Sequence, residues 1–184
     1  MEKNNKFISI DANSVSIAFA VWMNDELASF GKISWAGKTN YEKVQQAAQV
    51  VRDFFNYYGD METVVIEHTV FMNSPKTAAD LALVQGAILG AMSISGVKII
   101  KSTNPIAWQT FIKNGRLTTP EKQLIRKEYP GRSDAWYKNR EREFRKQRTI
   151  DFVNKRYGKS VSDNDVADAI GIGHYAIFNW EKLG

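Results

Sequence analysis

The sequence predicts an α/β fold in which a five-stranded mixed sheet, three antiparallel strands followed by two parallel ones, is flanked by helices. Three strand-like segments joined by short polar connections open the chain. The hydrophobic period then changes from two residues to three or four, and two later apolar segments alternate with helical ones. A chain of 184 residues with 43% hydrophobic content favours one domain covering residues 1–184.

The first three strands are predicted at Lys6–Ile10, Val15–Met23 and Leu27–Trp35. The second alternates apolar and small residues with the period of a strand. Short Asn/Asp/Ser connections separate the three segments. Such connections favour tight turns, so we expect an antiparallel meander.

A helix, a buried strand and a second helix follow. Thr39 and Glu42 form a capping-box pattern that opens an amphipathic helix, which ends near Gly59. The β-branched run at residues 63–66 is apolar throughout, as in a strand covered on both faces. Ser74 and Pro75 open the second helix. Its apolar part, residues 81–94, is about fourteen residues and short of the roughly twenty that span a bilayer, so we expect a buried core helix.

The fifth strand is predicted at Val97–Lys101. Asn104 and Pro105 then open a short helix that carries Trp108, which we expect in the core, although it could stack on a nucleotide. The element order to this point is βββαβαβ.

A basic helical segment, at about residues 117–158, comes next. Between Lys113 and Lys159 there are fifteen Lys/Arg and six Asp/Glu, a net charge of +9, whereas the rest of the chain is −4. This region contains a charged helix from Thr119 and a long basic helix over Asp134–Tyr157. Such a positive field favours nucleic acid as a partner, although solvated helix faces explain many charge runs equally well.

The absence of cysteine excludes disulfides, thiolate nucleophiles and thiolate zinc sites. A cysteine-free chain is compatible with a reducing compartment. The first residues are polar and lead directly into a strand, so no secretory signal is expected. We therefore expect a cytoplasmic location, which is the host cytoplasm if the protein is viral.

Acidic residues lie at the mouths of three predicted elements. Asp11 and Glu67 end the first and fourth strands, while Asp165 and Asp168 lie near the start of a last helix that Asp163 caps. A spacing of three puts the two helical acids on one face. Sites in open α/β sheets assemble beyond the strand ends, so we expect the acids to converge there. Without cysteine and with two histidines, hard oxygen ligands favour Mg²⁺ or Mn²⁺.

Each acid also has a structural explanation. Asp11 could form a turn, and Glu67 could face solvent at a strand end. Asp165 and Asp168 could simply stabilise the helix N-terminus through its dipole. The joint arrangement of all four acids in this element order favours a metal-dependent site.

Four sequence signatures, in matching order, resemble the RuvC-type Holliday-junction resolvases, and more closely their bacteriophage-type branch. The signatures are Phe7-Ile-Ser-Ile-Asp11, Val65-Ile-Glu67 followed by Phe71-Met72, the Gln85-Gly86 helix, and Asp165-Val-Ala-Asp168-Ala169. The resemblance covers nearly the whole chain.

The resemblance implies a ribonuclease H-like fold and a homodimer that nicks two opposed strands of a four-way DNA junction. It implies that Asp11, Glu67, Asp165 and Asp168 are the catalytic metal ligands for two Mg²⁺ or Mn²⁺ ions, with Asp11 bridging them. Two such ions would activate the attacking water and stabilise the leaving oxygen. No organic cofactor and no membrane partner are implied.

The resemblance also suggests DNA contacts. Phe71 resembles an aromatic residue that stacks at the exchange point of the junction, although it could equally fill the core. Basic residues that could contact phosphates without reading bases are Lys76, Lys113, Arg116, Lys122, Arg126, Arg132, Arg140, Arg142, Arg145 and Arg148. We expect His68 to point away from the site, and we leave out His174 because it follows Asp168 by six residues.

The sequence therefore predicts a junction-resolving endodeoxyribonuclease. One alternative is a ribonuclease H-like nuclease that acts on other branched, flapped or RNA-containing substrates, because fold alone does not fix function. The other is a non-catalytic DNA-binding accessory protein whose acids are structural.

Overall fold

A computed structural model of the chain describes residues 6–68 and 75–184. Five strands form one sheet in the order β3-β2-β1-β4-β5. The strands are β1 (Lys6–Ala12), β2 (Ser16–Met23), β3 (Glu26–Ser34), β4 (Thr63–Glu67) and β5 (Ile99–Thr103). The helices are α1 (Asn40–Tyr57), α2 (Pro75–Ile94), α3 (Pro105–Phe111), α4 (Thr119–Glu128), α5 (Asp134–Tyr157) and α6 (Asn164–Asn179), followed by a 3-10 turn, η1 (Trp180–Lys182).

The predicted mixed sheet is confirmed. β1, β2 and β3 pair antiparallel, and β4 and β5 continue parallel to β1. In the register, Asp11 lies opposite Ala18, and Ala18 lies opposite Lys32. Since directly opposed residues share one face of a sheet, these three side chains are on the same face.

The sheet separates two apolar cores. On one face, Ile8, Ile10 and Val64 pack with residues of α1 and α2. On the other face, Phe7 and Val65 pack with α6. β1 and β4 are therefore covered on both faces, which explains the continuous apolar run predicted for β4.

A close approach of α6 to the sheet depends on Gly173. A Cβ at this position would lie 2.0 Å from Trp22 Nε1 and 2.5 Å from Ser9 Oγ. The polar atoms there are paired, since Trp22 Nε1 donates to Ser9 Oγ (2.8 Å) and Ser9 Oγ donates to the Ala169 carbonyl (2.7 Å). This contact sets the height of α6, and hence of its acids, above β1.

The structure corrects the predictions for two elements. α2 has 20 residues and is, within residues 6–68 and 75–184, the single helix whose length and composition could cross a membrane. The predictions that its apolar part is too short to do so, and that it is a buried core helix, are therefore wrong. Only 22% of its most apolar window is buried, because one face packs on the sheet while Leu83 and Ile94 are exposed. β5 begins at Ile99, two residues later than predicted, because the Val97 N–H still closes α2 by donating to the Met92 carbonyl.

α4 and α5 form a helical hairpin over the basic segment. Leu117, Ile125 and Tyr137 make a small apolar cluster between them. Arg148 donates to Glu121, which also accepts from the Thr118 backbone N–H at 2.6 Å. These contacts hold α4 and α5 together.

Candidate active site

Four acidic side chains from three separate elements line one pocket of about 420 Å³. Asp11 comes from β1, Glu67 from the end of β4, and Asp165 and Asp168 from the first turns of α6. Parallel strands carry their carboxyl ends to the same edge of the sheet, and α6 begins above that edge. The structure thus brings together all four acids that the sequence singles out.

Asp11 and Asp168 are the most deeply placed of the four. Burial, together with the neighbouring Asp168, Glu67 and Asp165, raises the pKa of Asp11 well above its usual range. Burial and the charge of Glu67 raise the pKa of Asp168 to about 7, although hydrogen bonds with Thr149 and Asn164 oppose the rise. Burial and mutual repulsion therefore disfavour the charged forms of both acids when no cation is bound.

Glu67 is held by an indole. Trp108 Nε1 donates to Glu67 Oε2 at 2.5 Å, and the Trp108 side chain is fully buried. Burial raises the pKa of Glu67, and the hydrogen bond from Trp108 acts in the opposite direction. We expected Trp108 in the core, where it is, but its contact with Glu67 could not be inferred from the sequence.

Asp165 is held by a lysine. Lys32 Nζ lies 2.6 Å from Asp165 Oδ2, and the amide of Asn13 donates to the same oxygen at 3.3 Å. Lys32 also contacts Asp163 Oδ2 at 3.2 Å. Neither Lys32 nor Asn13 carried a signal in the sequence, because each reaches the pocket from a neighbouring strand or turn.

Two buried amide oxygens in the pocket have no hydrogen-bond partner, Asn164 Oδ1 and Asn114 Oδ1. The amide of Asn114 donates to Thr149 Oγ1 at 2.8 Å, and that of Asn164 donates to Asp168 Oδ2 at 3.1 Å. A buried acceptor without a donor costs free energy, so these oxygens are available to a cation or its water shell.

The donor chemistry of the pocket fits a hard divalent cation. Carboxylate and amide oxygens are the preferred ligands of Mg²⁺, and a cation would relieve the repulsion between the carboxylates. The present side-chain directions do not yet form such a site. Among the residues described here, no group of three or more His, Asp or Glu side chains is arranged to hold a metal ion. Glu67 is turned toward Trp108 and Asp165 toward Lys32, so both would have to reorient.

The opposite wall of the pocket is basic. Arg142, Arg145 and Lys146 reach it from α5. Arg145 donates to Gln109 on α3, while Arg142 and Lys146 form no ion pair with any described residue. Arg142 and Arg145 are among the predicted phosphate contacts, whereas Lys146 is not.

A second cavity of about 460 Å³ adjoins this wall and shares Arg142 and Arg145 with it. It also contains Arg116 and Lys122, both predicted as DNA contacts, together with Lys138. Its cations outnumber its acids, since Glu141 is its one acidic lining residue. We call the two cavities together the basic groove, which runs from the acids to the α4–α5 hairpin.

The other predicted DNA contacts lie elsewhere. Arg126 pairs with Asp134 at 3.2 Å, and Arg140 pairs with Glu143 at 3.1 Å, so both are engaged within the hairpin. Arg148 pairs with Glu121, and Arg132 lies over the Trp136 ring. Lys113 lines a separate cavity between α3 and α5. Lys76 is exposed in the first turn of α2, whereas Phe71 lies outside the described residues.

The two histidines are not lining residues of the pocket. His68 is exposed, and its backbone N–H donates to the Thr103 carbonyl at 2.8 Å. His174 is buried among aromatic rings, with its Nδ1 2.7 Å from the Tyr157 hydroxyl. Burial lowers the pKa of His174 to about 4, so it is neutral near pH 7.

Comparison with known proteins shows structural rather than sequence relatives. No protein-family model and no curated protein matches this chain. The structure is similar to that of Thermus thermophilus RuvC in complex with a Holliday junction substrate, with a TM-score of 0.65 and 15% identity over 96% of this chain and 95% of that one. A second Thermus thermophilus RuvC structure gives a TM-score of 0.63 and 14% identity over 96% of both chains.

The yeast mitochondrial Holliday junction resolvase Ydc2 matches less well, with a TM-score of 0.47 and 9% identity over 92% of this chain and 77% of that one. The two Thermus matches extend over nearly the whole of both chains. The chain therefore has the ribonuclease H-like fold of RuvC.

Proposed function

We propose that this protein is a metal-dependent endonuclease that resolves four-way DNA junctions. The observation that carries the proposal is the juxtaposition of four carboxylates with a wall of arginine and lysine in one pocket. A phosphodiester needs both parts: cations on the protein to hold its charge and acids that hold divalent metal beside it.

The acid side of the pocket would hold the metal. Asp11, Glu67, Asp165 and Asp168 are the proposed ligands, and the free oxygen of Asn164 is an additional donor. When bound, two Mg²⁺ or Mn²⁺ ions would supply Lewis acidity to the phosphodiester and an activated water. Trp108 would set the position of Glu67 through its hydrogen bond.

The basic side of the pocket would hold the substrate. Arg145 is fixed by Gln109, so its guanidinium has a defined position beside the acids. Arg142 and Lys146 form no ion pair with any described residue, so each can bind a phosphate without breaking one. Such contacts position a strand and carry no base sequence information.

A four-way junction is the proposed substrate because the fold matches a RuvC whose solved complex contains a Holliday junction substrate. Resolution needs two cuts in opposed strands, and we propose that a homodimer supplies two pockets. The exposed apolar residues of α2, Leu83 and Ile94, support a subunit interface on that helix. Assignment to the bacteriophage-type branch, and an intracellular location, stay predictions from the sequence.

The test compares cleavage of a four-way junction, a flap and an RNA/DNA hybrid in Mg²⁺ and in Mn²⁺. We expect the junction to be cut by paired nicks, and Asp11→Asn to lower the rate by more than about a hundredfold. Junction binding should remain, because Asp11→Asn leaves the basic wall intact. Asp53→Asn is the matched control, since Asp53 is exposed on α1 and its side-chain partners among the described residues, Gln49 and Arg52, are neighbours on the same helix.

Three results would contradict the proposal. Preferential cutting of the flap or the hybrid would assign a different substrate to the same pocket. Full activity in Asp11→Asn would make the acids structural. A wild-type protein that binds junctions but cuts nothing in either metal would favour the accessory protein.

A further inference from the structure

Lys32 brings a positive charge from the edge strand to the acids. Its partner across the ladder is Ala18, which in turn lies opposite Asp11, so the lysine and the aspartate share one row and one face of the sheet. Ala18 is fully buried and contributes only a methyl group between them. The long lysine side chain can therefore extend past β2 toward the start of α6.

The ammonium of Lys32 has two carboxylate partners. It lies 2.6 Å from Asp165 Oδ2 and 3.2 Å from Asp163 Oδ2, and its side chain is 29% exposed. In the part of the chain that the structure describes, no other lysine or arginine forms an ion pair with any of the four pocket acids. Lys32 is thus the counter-ion that this face of the pocket has without metal.

Asp163 gives Lys32 an attachment that does not depend on the proposed ligands. One oxygen of Asp163 caps α6 by accepting from the N–H groups of Asp165 (2.8 Å) and Val166 (3.1 Å). The other oxygen accepts from Lys32. Lys32 can therefore stay at the rim of the pocket when Asp165 turns away from it.

We propose that Lys32 is a positioning residue that acts as an internal competitor of the metal: it balances the pocket carboxylates beforehand, and it must release Asp165 for a divalent cation to bind. This inference rests on the proposed function, because it assumes that Asp165 is a metal ligand. Two cations held by one carboxylate repel each other, and the exchange of one for the other lowers the net gain from metal binding.

The test measures Mn²⁺ binding to the full-length protein by titration calorimetry, without DNA, for the wild type and for Lys32→Met. We expect Lys32→Met to bind Mn²⁺ about tenfold more tightly, a change opposite in sign to the loss of about 10- to 100-fold that follows removal of a residue supporting a metal ligand. Its unfolding midpoint in EDTA should fall, because the acids lose their counter-ion. Saturating Mn²⁺ should remove most of that difference.

Two control variants separate the charge from other effects. Lys32→Arg keeps the charge and should keep the wild-type Mn²⁺ affinity. Lys98→Met removes a lysine of similar geometry, 2.6 Å from Glu62, at the opposite end of the sheet, and should change neither the affinity nor the metal dependence of stability. A merely structural role for Lys32 would lower stability without tightening Mn²⁺ binding.

The outcomes distinguish this inference from the proposed function. If the wild type binds Mn²⁺ and Lys32→Met binds it equally or more weakly, the competition is refuted and the proposed nuclease is untouched. If neither protein binds Mn²⁺, both the metal-dependent nuclease and the competition are refuted. Binding by Lys32→Met alone would support the competition in its strongest form.

Discussion

The acid side and the basic side of the pocket are built in different ways. The acids lie on strand ends and on α6, ten of whose 16 residues are buried. The cations lie on α5, where three of 24 residues are buried. Reacting groups need a fixed geometry, which the packed half of the molecule supplies, whereas phosphate contacts tolerate adjustment by long exposed side chains.

The interactions that hold the acid side in place also differ from those that hold the basic side. α6 is fixed to the sheet by close packing at Gly173 and by the buried Ser9–Trp22 hydrogen bond. α4 and the N-terminal part of α5 are held by a small apolar cluster and by surface ion pairs such as Arg126 with Asp134, whereas the C-terminal part of α5 packs on α6. Surface ion pairs contribute little stability, so we expect the hairpin to be the more adjustable half.

The largest effect on stability is expected from Gly173→Ala, which disturbs the packing of α6 on the sheet. The new methyl group would lie 2.0 Å from Trp22 Nε1 and force α6 away from the sheet. We expect a loss of about 1–3 kcal/mol, or more, in the free energy of unfolding. Urea denaturation with two spectroscopic probes measures it.

Gly86→Ala is the control for Gly173→Ala. Gly86 lies on the exposed face of α2, where a Cβ would meet nothing within 4 Å. Alanine is the better helix former, so stability should rise by about 0.5–1 kcal/mol. Equal effects of the two substitutions would mean that α6 is not in tight contact with the sheet.

A second prediction concerns pH and the charge of the acids. Burial and the charge of Glu67 raise the pKa of Asp168 from 3.8 to about 7. Between these values the folded protein keeps a proton that the unfolded chain releases, so in EDTA stability should fall as the pH rises from about 4 to 7. Asp168→Asn should reduce this slope by up to about 1 kcal/mol per pH unit, measured by urea unfolding at several pH values.

Asp163→Asn gives the opposite sign. Although burial alone would raise the pKa of Asp163, hydrogen bonds from the Val166 backbone and Lys32 lower it overall. Its contribution to stability is therefore present above its unfolded pKa and lost as the pH falls. A pH slope that Asp168→Asn leaves unchanged would show that the folded protein does not raise the pKa of Asp168.

The smallest effect is expected on junction binding, when single cations of the basic groove are removed. Arg142→Met and Arg145→Met each remove one cation from the basic groove. Each lost phosphate contact should lower the slope of log affinity against log salt by about 0.9 and weaken junction binding severalfold. Fluorescence anisotropy at several salt concentrations measures both, with Lys98→Met as the control. Unchanged salt slopes would mean that the junction binds to another surface of the protein.

The fold was predictable from the sequence because its signals are local. Alternation in the second segment and the short polar connections predicted the three antiparallel strands, and caps such as Thr39, Asn104 and Asp163 marked helix starts that the structure confirms. The two errors, at β5 and α2, arose where the local pattern is silent. The start of β5 depends on the backbone bond that closes α2, and the exposure of α2 depends on which face packs on α1 and the sheet.

The acids of the site were also predictable from local signals, since each lies at the end of a strand or near the start of a helix. Their partners were not. Lys32 reaches Asp165 because a cross-strand register places it beyond Ala18, and Trp108 meets Glu67 because α3 packs beneath α6. Such contacts join residues 41 and 133 positions apart, and no periodicity or spacing encodes them.

The hydrogen bond from Trp108 to Glu67 couples the intrinsic tryptophan fluorescence of the protein to the position of a pocket carboxylate. The chain has five tryptophans, and Trp108 is the one whose indole donates directly to a carboxylate of the pocket. Any event that draws Glu67 away leaves the buried Trp108 N–H without its acceptor and so changes the fluorescence of Trp108. The arrival of an ion at the acids can therefore be timed in a stopped-flow fluorimeter without attaching a dye.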